Sequence, residues 1–105
     1  MLTQKQIDQY HRDGYIGVEN VLSPEEVDEL RKVTDDFVEK SRGISECDEV
    51  FDLEPGHSAE DPKLRRLKSP IEVHDVYRRT LIHPNILKIV SQLIGPSIWS
   101  NGNKL

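Results

Sequence analysis

Residues Leu2–Arg31, LTQKQIDQYHRDGYIGVENVLSPEEVDELR, hold two helix starts with a short extended run between them. Thr3 followed by Gln6 reads as a capping box, in which each side chain satisfies a free N–H at a helix start. The spacing predicts a helix from about Gln4 to Arg12, with Gly14 placed to end it in the left-handed conformation. Tyr15-Ile16-Gly17-Val18 alternates like a short strand, and Val21 and Leu22 lead out of it. Ser23-Pro24-Glu25-Glu26 then offers an N-cap serine, a proline at the first helical position and a glutamate at the third. Val27, Leu30, Val33, Phe37 and Val38 keep helical spacing behind it, so a helix is predicted over Pro24–Ser41, closed by Gly43.

Outward from that block the signals thin. Ile44 to Pro62 is acidic and irregular, with Pro55-Gly56 as a turn and Val50-Phe51-Asp52-Leu53 as a short strand. Such a stretch reads as a surface loop or lid. Leu64–Leu67 is a second short strand. Ser69-Pro70-Ile71-Glu72 repeats the serine-proline-acid start and predicts a helix to about Thr80. Pro84 opens another, carrying Ile86, Leu87, Val90, Leu93 and Ile94, with Gly95-Pro96 as the stop. Ser97-Ile98-Trp99-Ser100 begins like a strand, with nothing after residue 105 to pair with it. The two serine-proline starts are not a repeat, because their flanks differ.

The 105 residues are enough for one small domain, taken here as residues 1–105. At 35% hydrophobic and 31% charged the chain is lean in core-forming side chains, and is expected to borrow part of its core from elsewhere. It holds no apolar run long enough to span a membrane, and Met1–Asp13 lacks the apolar segment of a secretory signal. The single cysteine, Cys47, fits a reducing, cytoplasmic setting. Glu46 and Asp48 beside it disfavour a thiolate. With 14 basic against 19 acidic residues the net charge is −5, which argues against nucleic acid as a partner. Lys63, Arg65, Arg66 and Lys68 form one basic cluster, followed by Arg78 and Arg79. It reads as a solvated surface.

The order of elements resembles the N-terminal part of the phytanoyl-CoA dioxygenase family. The residues that carry the resemblance are Leu2–Arg31 and the closing block His83–Leu105, HPNILKIVSQLIGPSIWSNGNKL. The first resembles the family's opening helix, its aspartate-glycine-aromatic step, a short strand and the LSPEE helix. The second resembles the helix, glycine-proline and strand step that leads into the family's barrel. The resemblance implies an α+β chain: the outer helices and first strands of a double-stranded β-helix, or jelly roll. It also implies an oxygenase that uses Fe(II) and 2-oxoglutarate to hydroxylate a small organic substrate. The family's iron sits on a His-x-Asp pair and a distant histidine, leaving positions open for 2-oxoglutarate and oxygen. An arginine beyond that histidine usually holds the far carboxylate. The His-x-Asp pair follows the glycine-proline step by a few tens of residues, so the metal triad is expected to lie outside this chain, which alone is expected to be inactive and to bind neither Fe(II) nor 2-oxoglutarate tightly.

His11-Arg12-Asp13 is a His-x-Asp by spacing alone. On a helix end, residues two apart point roughly 200° from one another, so the pair reads as a helix C-terminus with a favourable cation. His74 falls within a predicted helix, His83 reads as a linker residue and His57 as a solvated loop residue; none makes ligand spacing. Lys68 is the one cofactor-binding candidate. By the resemblance, a basic residue before such a helix start reaches the 2-oxoglutarate carboxylates, and Lys68 stands there in RRLKSP. Lys104 stands where relatives commonly carry an apolar residue and is given no such role. Tyr15, Phe37, Tyr77 and Trp99 are expected in the core. The rival class is a non-enzymatic helical interaction module, whose apolar helix faces need a partner.

Overall fold

A computed structural model describes residues 1–105. Helix α1 spans Gln4–Asp13 and α2 spans Pro24–Ser41. Both expected capping boxes form: Gln6 N–H donates to Thr3 Oγ1, and Glu26 N–H to Ser23 Oγ, each cap amide being answered by the glutamine or glutamate side chain. Gly14, at φ 81°, ends α1 by donating its N–H to the Tyr10 carbonyl. Helix α2 has the expected bounds, and its closing turn is right-handed. Arg42 stays right-handed, and the amides of Arg42, Gly43 and Ile44 each bond three residues back, so Gly43 supplies no left-handed turn.

Strand β1, Phe51–Leu53, pairs antiparallel with β2, Leu64–Leu67, in the register Phe51–Leu67 and Asp52–Arg66. An irregularity between Asp52 and Leu53 brings Leu53 opposite Leu64. Helices α3 (Pro70–Val73), α4 (Asp75–Leu81) and α5 (Pro84–Ile94) follow.

Four sequence expectations are corrected. Tyr15–Val18 forms no strand, because no neighbouring segment offers it a ladder. Ser97–Ser100 forms none either. The pairing falls instead on the last residues, where Leu67 and Leu105 exchange both backbone bonds (2.8 and 3.3 Å) and Lys68 lies opposite Lys104 in an antiparallel bridge. The helix predicted from Ser69 to Thr80 breaks at His74, which is extended at φ −155° and uses its ring to cap the Val76 amide. Finally, Ser69 is no N-cap. It is left-handed (φ 48°), and Asn103 Oδ1 accepts the Ile71 N–H at 3.0 Å in its place.

The core is one cluster of Phe37, Phe51, Leu67, Val76 and Tyr77, formed where α2, the sheet and α4 meet. Phe37 and Tyr77 are where the sequence placed them, and the Tyr77 hydroxyl is satisfied by Thr34 Oγ1 at 2.8 Å. Tyr15 and Trp99, at 69% and 93% exposure, lie outside, since neither extended segment folds back onto the cluster. Helix α1 packs on α5 apart from the cluster, pinned where the Leu2 amide donates to Gln92 Oε1 at 3.0 Å. The result is elongated, 50 × 27 × 22 Å, with a radius of gyration of 16.9 Å against about 13 Å for a compact domain of this length. Only 8 of 105 residues are buried, so the lean composition has a direct structural counterpart.

Candidate functional site

Lys68 sits one residue beyond β2. Its N–H donates to the Val50 carbonyl at 2.8 Å, and its ammonium to the Asp48 carbonyl at 2.7 Å. The Asp48 carboxylate turns the other way, accepting the Phe51 and Val50 amides at 2.6 and 2.8 Å. Those two bonds, first Phe51 and then Val50, hold its carboxyl below the usual range, and the charge of Lys68 adds to them. Successive side chains along a strand alternate faces. Leu67 enters the core, so Arg66 and Lys68 stand on the opposite face of the sheet. There Arg66 Nε lies 2.7 Å from Asp52 Oδ2, an ion pair without hydrogen-bond alignment. Partial burial works against the Asp52 charge, but the Cys47 thiol and Arg66 outweigh it and hold the carboxyl low.

The four histidines are distributed rather than gathered. His11 ends α1 edge-on to Tyr10, while Asp13 is held by the Arg12 guanidinium through two bonds of 2.8 and 3.0 Å. The His-x-Asp of the sequence is thus a helix end, as expected. His57 is not simply solvated. Its Nε2 donates to the Ser41 carbonyl at 2.8 Å and its Nδ1 accepts the Lys63 N–H at 2.9 Å, tying the 44–62 segment to the end of α2. His83 is more than a linker residue, since Nδ1 accepts the Asn85 N–H and Nε2 donates to Glu26 Oε1 at 2.9 Å. The Glu26 carboxyl is held low first by the Ser23 amide and then by His83. With His74 capping Val76, three of the four rings use Nδ1 as an acceptor for a backbone amide, which places the proton on Nε2.

Iron of the kind the family resemblance implies needs three converging N or O ligands with positions left open. No group of three His, Cys, Asp or Glu side chains in these residues converges in that way. The residues present do not fit the metal.

A second feature lies at the other end. Leu81, Ile82, Ile86, Leu87, Val90, Ile98 and Trp99 line an open apolar groove of about 240 Å³ along α5. No helix is long and apolar enough to cross a membrane.

The family model described as phytanoyl-CoA dioxygenase (PhyH) matches residues 10–103, nearly the whole chain. The chain belongs to the phytanoyl-CoA dioxygenase family. No curated protein and no solved structure matches it. The phytanoyl-CoA dioxygenase family is a family of oxygenases that generally uses Fe(II) and 2-oxoglutarate. Its match spans the α1 end, the LSPEE helix, the sheet and Lys68, and stops at Asn103, one residue before the Lys104 side of the bridge. Within the family frame, sequence reasoning singled out Lys68 and passed over Lys104. The signal that joins them is a strand pairing between residues 36 positions apart, which no local pattern carries.

Proposed function

We propose that residues 1–105 form the N-terminal portion of a single phytanoyl-CoA dioxygenase-like domain, a jelly-roll oxygenase that uses Fe(II) and 2-oxoglutarate to hydroxylate a small organic substrate. The family match over residues 10–103 is the observation that carries this reading. The iron ligands then belong to strands outside these residues, and the helices described here form the outer layer. In this reading the protein is cytoplasmic, with Cys47 kept as a free thiol.

Lys68 is the residue of this chain that meets 2-oxoglutarate. Its ammonium spends one N–H on the Asp48 carbonyl and keeps two for a carboxylate. Arg66 pairs with Asp52, and Lys68 itself makes no ion pair with a carboxylate.

The test is turnover by the complete gene product that contains this chain. Loaded with ferrous iron and supplied with oxygen, it is expected to convert 2-oxoglutarate to succinate and carbon dioxide. Lys68→Ala is expected to raise KM for 2-oxoglutarate. Absence of both turnover and 2-oxoglutarate binding overturns the reading.

One observation favours a second reading, a non-enzymatic helical interaction module: the open groove along α5, with Ile82 at 56% and Trp99 at 93% exposure. A cooperative melt and a dispersed NMR spectrum for the 105-residue chain, with no oxygenase activity in the complete product, would favour it.

A further inference from the structure

Leu67 and Leu105 exchange both backbone hydrogen bonds, so the next pair along the ladder, Lys68 with Lys104, is a directly opposed, non-hydrogen-bonded pair. Side chains in such a pair leave the same face of the sheet with their Cβ atoms about 4.5–5.5 Å apart. The two lysines therefore stand side by side on the face turned away from the Phe37–Phe51–Leu67 cluster. Like charges placed in this way repel. The chain carries 19 acidic residues, yet Lys104 makes no ion pair or side-chain hydrogen bond with any of them. Nor does Lys68 make an ion pair, although its charge reaches the Asp48 carboxylate. Asp52 is matched to Arg66, and the charge of Asp48 is turned into the amides of Val50 and Phe51.

We propose that Lys68 and Lys104 together form a two-ammonium cradle for one carboxylate group of a small dicarboxylate, with Lys104 as its second arm. The inference rests on the assignment of Lys68 to 2-oxoglutarate and adds a residue which that assignment lacks. An anion set between the two ammonium groups converts a repulsive cross-strand pair into two charge-assisted hydrogen bonds. It also couples the site to the fold. Lys104 is held opposite Lys68 while Leu105 pairs with Leu67 and Asn103 holds the Ile71 amide, so binding and the pairing of these last residues reinforce one another.

Lysine side-chain NMR on the isotopically labelled complete gene product that contains this chain tests this directly. Titration with 2-oxoglutarate is expected to move the Lys68 and Lys104 signals together along one binding curve and to leave Lys5 on α1 unmoved, while inorganic phosphate is expected to move the two lysines far more weakly. Lys104→Ala is expected to weaken 2-oxoglutarate about tenfold or more, the loss of one charge-assisted bond. Lys104→Arg retains most of the affinity, and Lys5→Ala changes nothing. If Lys68 responds to 2-oxoglutarate while Lys104 does not, and Lys104→Ala binds normally, the cradle is overturned and the assignment of Lys68 survives. If both lysines respond to phosphate as strongly as to 2-oxoglutarate, the pair is a general anion site, and both the dicarboxylate cradle and the Lys68 assignment fall. If neither responds to either anion, both proposals fall.

Discussion

The side-chain carbonyl of Asn103 stands 3.0 Å from the amide of Ile71, capping a four-residue helix from 32 positions further along the chain. Ser69, the residue placed by sequence to do this, is turned left-handed and makes no cap bond. Removing one partner of a part-buried bond costs about 1 kcal/mol and leaves the amide unprotected. Asn103→Ala is therefore expected to lower stability by about that much. Hydrogen exchange at the Ile71 amide should quicken in the variant more than exchange at Val76, whose acceptor is His74.

Ser69 itself holds a conformation that disfavours a Cβ, at φ 48° and ψ 57°. Glycine adopts it freely. Ser69→Gly is expected to stabilise the chain by about 0.5–1 kcal/mol, the relieved strain less the added freedom of the unfolded chain. Ser69→Val should destabilise it. Urea midpoints at unchanged m-value check both.

Thr34 and Tyr77 join α2 to α4 by a single hydroxyl–hydroxyl bond of 2.8 Å at the edge of the core. Tyr77→Phe and Thr34→Val are each expected to cost about 1 kcal/mol. The double variant should cost less than the sum, with a coupling of about 0.5–1.5 kcal/mol in a double-mutant cycle. Strict additivity would mean the bond contributes nothing.

Leu67 is 1% exposed, and its backbone bonds Leu105 while Arg66 pairs with Asp52 of β1 and the Lys68 amide bonds Val50. Leu67→Ala opens a cavity beneath both pairings and is expected to cost about 2–5 kcal/mol. With so few residues buried, that is a large share of a typical total of about 5–15 kcal/mol. Near-ultraviolet circular dichroism should lose its aromatic signal before the far-ultraviolet helix signal falls.

Acid should weaken the fold. The carboxyls of Glu26, Asp48, Asp52 and Glu29, the last beside Arg79, all bind their protons less readily in the folded chain than at their ordinary values of 4.5 for glutamate and 3.8 for aspartate. Between the folded and ordinary values the unfolded chain holds more protons, so stability rises with pH there. The contribution is complete above about pH 5 and is lost as pH falls through the lowered folded values. Tm should fall below pH 5, and Asp48→Asn should flatten that slope while lowering stability at neutral pH.

How much was legible depended on distance along the chain. The start of α1 and α2 was readable because Thr3 with Gln6 and Ser23 with Glu26 satisfy each other within one turn. The family was readable because those local signals come in a characteristic order. The same local reading failed at Ser69-Pro70, where the identical serine-proline pattern met a left-handed serine, and at His74, whose ring caps a new helix where the pattern expected a continuous one. Of the candidate site, Lys68 was accessible through family resemblance alone. Lys104 acquires its meaning from a register between β2 and the last residues, and register is a long-range property.

Trp99 is the only tryptophan in the chain and lies 93% exposed at the edge of the α5 groove. Its fluorescence is therefore a poor gauge of folding, since the indole is already in water when the Phe37 core is intact. Native emission should be red and open to acrylamide quenching, changing little on denaturation. A blue shift with loss of quenching would report instead that the groove has been covered, giving the chain an unlabelled optical probe of whatever closes over α5.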